Sequence, residues 1–122
     1  MNTKRIAGIL QVLSLFLLID LATNAQAATY SVKSLDFPGA LNTFAASINA
    51  SGQVAGYYDV AFGRRHGFVY SGGLFMSLDF PGTIGETNAT SINDGGQVVG
   101  IYADASGGVH GYVYSDGHTK CY

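Results

Sequence analysis

Hydrophobic and polar residues alternate along this chain in short runs that turn residues separate. The first four runs cover residues 29–35, 43–48, 53–58 and 66–70, and the next four cover residues 74–80, 87–92, 97–102 and 110–114. A period of two places successive side chains on opposite faces of a strand, and the Gly, Asn and Pro residues between runs are typical of turns. After residue 27 no run has helical spacing. The pattern therefore predicts an all-β domain.

The second half of this pattern repeats the first. Residues 34–73 align with residues 77–117 around one inserted residue near Gly85, and 24 of the 40 aligned positions are identical. Four short antiparallel strands in about 44 residues is the size of one propeller blade. We therefore predict two tandem four-stranded antiparallel β-propeller-blade-like repeats, at about residues 30–73 and 74–117, with sheets at about 30–70 and 74–114 packed face to face.

Residues 118–122 align with residues 74–78, so they are expected to begin the first strand of a third unit. Stacked repeats generally need three or more units to bury a continuous core. Three explanations follow, in order of preference: a fragment of a longer repeat protein, assembly of copies into a larger ring, or a marginally stable pair.

The first 27 residues have the pattern of a secretory signal. Lys4 and Arg5 precede an apolar run at residues 6–19, and Ala25-Gln26-Ala27 has the small residues that a signal peptidase accepts. The run is shorter than the roughly 20 residues that a membrane-spanning helix needs. We predict a cleavable signal helix at residues 1–27 and a mature domain at 28–122. The mature chain would be secreted, periplasmic or on the cell surface, with no membrane contact after cleavage.

Charge and cysteine content narrow the possible partners. The mature chain has four Lys and Arg residues against seven Asp and Glu residues, a net charge of −3. Without a basic face, nucleic acid is not an expected partner. Cys121 is the one cysteine of the chain, so an intramolecular disulfide framework is excluded and apolar burial must hold the domain together.

The residues that the two repeats share resemble a family of bacterial extracellular repeats named for a His-Ala-Phe triplet (HAF repeats). Residues 48–58 read INASGQVAGYY and residues 92–102 read INDGGQVVGIY, and a His-Gly-aromatic triplet follows each at 66–68 and 110–112. The resemblance covers essentially the whole mature chain and departs from the family at the middle residue of the triplet. It implies export and a propeller-like β-repeat, and it implies no established reaction.

Two pairs of recurring residues could carry chemistry. His66 and His110 could bind a metal or act as a base, but nothing at ligand spacing supplies the further ligands that a metal needs. We expect each histidine to hydrogen-bond within its own sheet.

Asp36 and Asp79, each in a Leu-Asp-Phe-Pro-Gly sequence, could be a carboxylate pair for glycoside hydrolysis. Because each repeat carries one at the same place, we expect them to accept hydrogen bonds from the backbone of the turn.

We therefore predict no catalytic residue, no metal ligand and no cofactor, and assign the recurring residues to the repeat framework. These residues are Asp36, Pro38, Gly39, Asn49, Gly52, Gly56, His66, Asp79, Pro81, Gly82, Asn93, Gly96, Gly100 and His110. The predicted function is that of a secreted structural or binding repeat. Its partner would be a further copy or repeat, a protein or a glycan. The alternative is a fragment of an extracellular propeller-type hydrolase acting on glycans, for which a cluster of acids specific to one unit would be expected.

Overall fold

The structure is a computed structural model that describes residues 26–121 of the chain. The predicted signal helix lies outside the described residues, apart from Gln26 and Ala27. From residue 42 onward the chain forms two four-stranded antiparallel sheets, each with its strands in chain order. The first sheet contains β1 (Asn42–Ile48), β2 (Val54–Val60), β3 (Arg64–Ser71) and β4 (Leu74–Leu78), and the second contains β5 (Thr87–Ile92), β6 (Val98–Ala103), β7 (Val109–Ser115) and β8 (His118–Cys121). The prediction of an all-β fold with two such sheets is confirmed, and the sheets do not close into a propeller.

The predicted positions of the sheets within the repeat were wrong. Residues 29–35 form no strand, residues 74–78 complete the first sheet, and residues 118–121 complete the second sheet instead of beginning a third. Gly72 and Gly73 have φ values of 57° and 91°, which is the two-residue hairpin geometry that returns a strand beside its predecessor. Asp116 and Gly117 form the same hairpin, with φ values of 51° and 78°. The chain therefore passes from one sheet to the next at residues 79–86, after the hairpin.

One glycine in the second strand of each sheet is required by close packing. A Cβ at Gly56 would collide with the carbonyl oxygen of Phe44 and lie 2.9 Å from the ring of Phe68. A Cβ at Gly100 would likewise collide with the carbonyl oxygen of Asn88 and lie 2.7 Å from the ring of Tyr112. The first strand and the central aromatic ring can approach the second strand this closely only because both positions lack a side chain.

The two sheets pack against each other through a shared core. Its buried members are Ala55, Val69 and Leu78 from the first sheet and Ala89, Ile92 and Val98 from the second. β5 contacts β1, β2 and β3, so the first strand of the second sheet lies across the face of the first sheet. No strand of one sheet forms a ladder with a strand of the other, and a single parallel bridge, between Arg65 and Glu86, joins β3 to the segment before β5.

Part of the opposite face of the first sheet is covered by the segment that precedes β1. Phe37 of this segment stacks on Tyr58, with ring centroids 3.7 Å apart and planes 7° apart. The linker between the sheets repeats this contact, because Phe80 stacks on Tyr102 at 3.7 Å and 6°. Each sheet therefore has part of one face covered by the phenylalanine of a Leu-Asp-Phe-Pro-Gly segment. Within residues 26–121, no helix is long and apolar enough to cross a bilayer.

Candidate functional site

An Asn–Gln pair holds the turn between the first two strands of each sheet. Asn49 Oδ1 accepts a hydrogen bond from the backbone N–H of Gln53 at 2.9 Å, and its Nδ2 donates to Gln53 Oε1 at 2.8 Å. Asn93 and Gln97 make the same two bonds, at 2.9 and 2.8 Å. The third residue after each asparagine is a glycine, whose N–H donates to the carbonyl oxygen of that asparagine at 3.0 Å. The φ values of these glycines, Gly52 and Gly96, are 75° and 78°. A positive φ favours glycine at both places.

The Leu-Asp-Phe-Pro-Gly turns are held by threonine. Thr43 Oγ1 accepts the backbone N–H of Phe37 at 2.9 Å, and Thr87 Oγ1 accepts that of Phe80 at 3.2 Å. The expected role of the two aspartates, accepting hydrogen bonds from the turn backbone, is not what the structure shows. Asp36 instead accepts a bond from Ser34 Oγ at 2.7 Å. Pro38-Gly39 and Pro81-Gly82 lie at the turns themselves, with φ values of 81° and 85° at the glycines.

His66 forms a hydrogen-bonded pair with Asp79, which links the first sheet to the segment that leads into the second. His66 lies opposite Tyr58 in the neighbouring strand, and the two rings are 5.3 Å apart. Its Nδ1 lies 2.7 Å from Oδ1 of Asp79, the residue that follows β4. Ser77 Oγ donates to the other oxygen of Asp79 at 3.2 Å and lies 3.1 Å from the Tyr58 hydroxyl. The imidazole is thus fixed by a ring on one side and a carboxylate on the other.

His110 occupies the same place in the second sheet but pairs with a different carboxylate. It stacks on Tyr102 at 5.2 Å, while its Nε2 lies 2.7 Å from Oδ2 of Asp104. Asp104 also accepts the hydroxyl and the N–H of Ser106 and the N–H of Gly108, at 2.6, 2.8 and 2.9 Å. These bonds, with the Ser106 hydroxyl first and His110 second, hold the pKa of the Asp104 carboxyl well below its ordinary value. Val60 stands at the aligned position of the first repeat, so this pairing is specific to the second.

A cleft of about 400 Å³ opens beside the His66–Asp79 pair, lined also by Arg64, Phe80, Thr83, Ile84 and Gly85. Asp79 is the one carboxylate in this lining, whereas glycoside hydrolysis by the usual route uses two. Among the residues that the structure describes, no three His, Cys, Asp or Glu side chains gather in a way that could hold a metal ion. The cleft can therefore present an imidazole, a carboxylate and a guanidinium to a polar ligand, without the paired acids of a glycosidase.

Each third strand has one aromatic side chain in the core, and that of the second sheet carries an unsatisfied polar group. Phe68 is fully buried, and Tyr112 at the same place in the second sheet is 3% exposed. The Tyr112 hydroxyl oxygen has no hydrogen-bond partner within the described chain. Burial, followed by the charge of Asp79, raises the pKa of Tyr112 to about 12. This hydroxyl and Asn88 Oδ1 are the buried side-chain polar atoms of the described residues that lack a partner.

Sequence reasoning identified the asparagines, glycines and histidines but missed the threonines and the stacking phenylalanines. Thr43, Thr87, Phe37 and Phe80 are identical between the repeats, so recurrence itself was the available signal. It did not predict the contact of Asp104 with His110, because Asp104 has no counterpart in the first repeat. Comparison with protein-family models, with curated proteins and with solved structures finds no match to this chain.

Proposed function

We propose that this protein is an exported β-repeat protein of structural or binding type, with no catalytic site of its own. One observation carries the proposal: recurring polar side chains make the same framework bonds in both repeats. The Asn–Gln pairs match within 0.1 Å in both of their bonds, because the two sets are 2.9 and 2.8 Å long. A side chain that holds the same turn in both repeats serves the fold. A catalytic group, in contrast, would be expected in only one of the repeats.

Export is part of this proposal and rests on the pattern of residues 1–27. A protein that leaves the cytoplasm without a disulfide framework depends on packing and turn bonds for its stability. The recurring Asn, Gln, Thr and His contacts supply such bonds at each sheet. Mass spectrometry of the protein recovered from the periplasm or culture medium tests export, and a product that begins at Ala28 is expected. A product that keeps residues 1–27 and stays in the cytoplasm would contradict it.

The alternative, a glycan hydrolase fragment, is favoured by one observation, the His66–Asp79 pair in a cleft beside Arg64. The substitution Asp79→Asn separates the two functions because it removes the charge while keeping the size. A framework role predicts a lower melting temperature and no turnover of glycoside substrates before or after the change. A hydrolase predicts turnover by the unmodified protein that Asp79→Asn abolishes while the melting temperature stays the same.

Binding experiments with the purified chain test for a partner. A glycan array and a pull-down from culture supernatant, each repeated with Asp79→Asn and with Asp116→Asn as a surface control, would detect a ligand of the cleft. Binding lost only in Asp79→Asn would place the ligand at the His66–Asp79 pair. Retention of a glycan by all three proteins would place it elsewhere on the surface.

A further inference from the structure

Two surfaces form the contact between the sheets, one on each sheet. Each of these surfaces has a counterpart, built from aligned residues, in the other repeat. On the first sheet, the surface is formed by Ala55 and Val69, which are cross-strand neighbours and are 0% and 7% exposed. We call this the docking face. At the same positions of the second sheet, Val99 and Val113 are also cross-strand neighbours. Val99 is 42% exposed and Val113 is half-buried, so the second docking face is present but open.

The surface that receives the docking face is also duplicated. In the second sheet it consists of Ala89, Ile92 and Val98, all buried against the first sheet, and Leu78 at the end of β4 packs beside them. The aligned residues of the first repeat are Leu35, Ala45, Ile48 and Val54, and together with Ala46 and Ser47 they line an apolar groove of about 300 Å³. Ile48 is 67% exposed where Ile92 is 6% exposed. The first repeat thus has an open receiving groove.

We propose that the open docking face of one copy of this chain binds the open receiving groove of a second copy, head to tail. A second copy is the occupant because the chain already contains this interface once, between its own sheets, and exposes both of its halves again. The open faces carry aliphatic side chains at the positions that form the internal core. This inference rests on the proposed structural or binding function. Since the two surfaces differ, the contact is heterologous and generates rings or open filaments.

Polar groups at the edge of the internal contact also have counterparts on the open surfaces. Ser47 Oγ accepts the backbone N–H of Ile92 across the sheets at 3.4 Å, and exposed Ser91 stands at the position of Ser47. Asn49 Nδ2 donates to the carbonyl oxygen of Asn93 at 3.0 Å, and Asn93 is the counterpart of Asn49. Ser91 and Asn93 of one copy can therefore make the same bonds to the backbone of a second copy.

The histidine pairs extend this correspondence. His66 meets Asp79 through Nδ1, whereas His110 meets Asp104 through Nε2 and makes no such bond through Nδ1 within the described residues, and Asp36 is the residue aligned with Asp79. Two differences weaken the contact between copies. Val99 is bulkier than Ala55, and the bond from the Ala50 N–H to Asp94 Oδ1 at 2.8 Å has no counterpart, because Ala50 lacks a carboxylate. Association between copies should therefore be weaker than the contact between the sheets of one chain.

Sedimentation equilibrium of the purified chain over a range of concentrations tests the proposal. We expect reversible association, and we expect Ile48→Asp and Val99→Asp each to leave monomer throughout that range, because a charge would be buried without a partner. An equal mixture of the two variants should form dimers and nothing larger, since one intact groove can meet one intact docking face. Leu74→Asp is the control: Leu74 is 76% exposed and lies outside both surfaces, so association should be unchanged.

Three results would overturn the proposal. The unmodified chain could remain monomeric at every concentration, or Ile48→Asp could associate as well as the unmodified chain, which would indicate a contact between two docking faces. The mixture could also fail to dimerise while both variants melt near the temperature of Leu74→Asp. If an aspartate variant does not fold, a cross-linking experiment takes the place of the sedimentation test. In it, a mixture of Ile48→Cys and Val99→Cys chains is oxidised. A cross-link between positions 48 and 99 of different chains is expected, and its absence would contradict the proposal.

Discussion

The two sheets have closely related sequences but different surroundings. Ile48 and Ile92 are aligned and identical, yet one is 67% exposed and the other 6% exposed. Asn49 is buried while Asn93 is exposed. The strand pairing and the Asn–Gln turn bonds recur in both repeats, whereas the first sheet has a neighbouring sheet against a different face from the second. The repeat sequence therefore determines each sheet, while the neighbouring sheet determines which of its residues are core.

The two histidines show the same distinction on a smaller scale. The sheet places each imidazole against a tyrosine, at 5.3 Å for His66 and 5.2 Å for His110. The carboxylate beside each comes from a different segment: Asp79 lies in the linker to the second sheet, and Asp104 in a loop of the same sheet. A conserved position within the repeat therefore fixes the ring, and the adjoining segment supplies its partner.

The largest effect is expected from adding a methyl group where both sheets need glycine. Gly56→Ala and Gly100→Ala should each destabilise the fold by about 3 kcal/mol or more, because the new Cβ would collide with a backbone carbonyl that cannot move independently. Urea unfolding of the two variants measures this. Similar losses in both sheets are expected, because this constraint lies within a sheet.

A matched control exists in the turn of the second repeat. Gly95→Ser introduces the residue that the first repeat carries as Ser51, and a Cβ at Gly95 would meet nothing closer than 3.4 Å. This variant should be as stable as the unmodified protein or slightly more stable. Equal destabilisation by Gly95→Ser and Gly100→Ala would contradict the close-packing explanation.

The histidine pairs should differ in their contribution. His66→Ala should cost about 1–2 kcal/mol, because it breaks a charge-assisted link to the segment that covers the second sheet. His110→Ala should cost less than about 1 kcal/mol, since its side chain is more exposed, at 45% against 24%, and its bond stays within one loop. Thermal unfolding compares the two variants. A larger loss for His110→Ala would indicate that the link between the sheets contributes little.

Removing the unsatisfied hydroxyl should increase stability. Tyr112→Phe restores the residue that the first sheet has as Phe68, and it should stabilise the fold by about 1 kcal/mol by avoiding an unpaired buried group. The folded-state pKa of Tyr112 is raised to about 12 from 10.0, so ionisation opposes folding. The unmodified protein should therefore lose stability relative to Tyr112→Phe as the pH rises from about 10 to about 12. A constant difference across that range would contradict burial of the hydroxyl.

The smallest effect is expected from Asp104 in acid. Because its folded-state pKa lies below the ordinary value of 3.8, the carboxylate stabilises the fold above that pH and loses this contribution as the pH falls below it. The melting temperatures of the unmodified protein and Asp104→Asn should differ near neutral pH and converge in acid. Asp116→Asn, which alters an exposed turn carboxylate, should show no such convergence. A difference that persists unchanged at low pH would exclude this role.

The sequence predicted the class of fold and the number of sheets because strand alternation and turn glycines are local signals. It did not predict where each sheet begins. The hairpin at Gly72-Gly73 and the turn at Pro81-Gly82 both interrupt an apolar run, and sequence alone does not show which turn reverses a strand and which leads to another sheet. The sequence also did not predict the partner of His110. Asp104 has no counterpart in the first repeat, and the contact between Asp104 and His110 depends on the conformation of the loop that carries Asp104. Recurrence between the repeats identified the residues of the framework. The contacts that each of them makes could be assigned only from the three-dimensional structure.

Nuclear Overhauser effects between methyl groups test most directly whether the two sheets pack as two stacked layers. Packing through the shared core predicts cross-peaks from Ala55 and Val69 of the first sheet to Ala89 and Ile92 of the second. In a dilute monomeric sample, the aligned Val99 should show no cross-peak to Ile48. Absence of cross-peaks between the sheets, or backbone contacts that pair strands of the two sheets in one continuous barrel, would contradict the stacked arrangement.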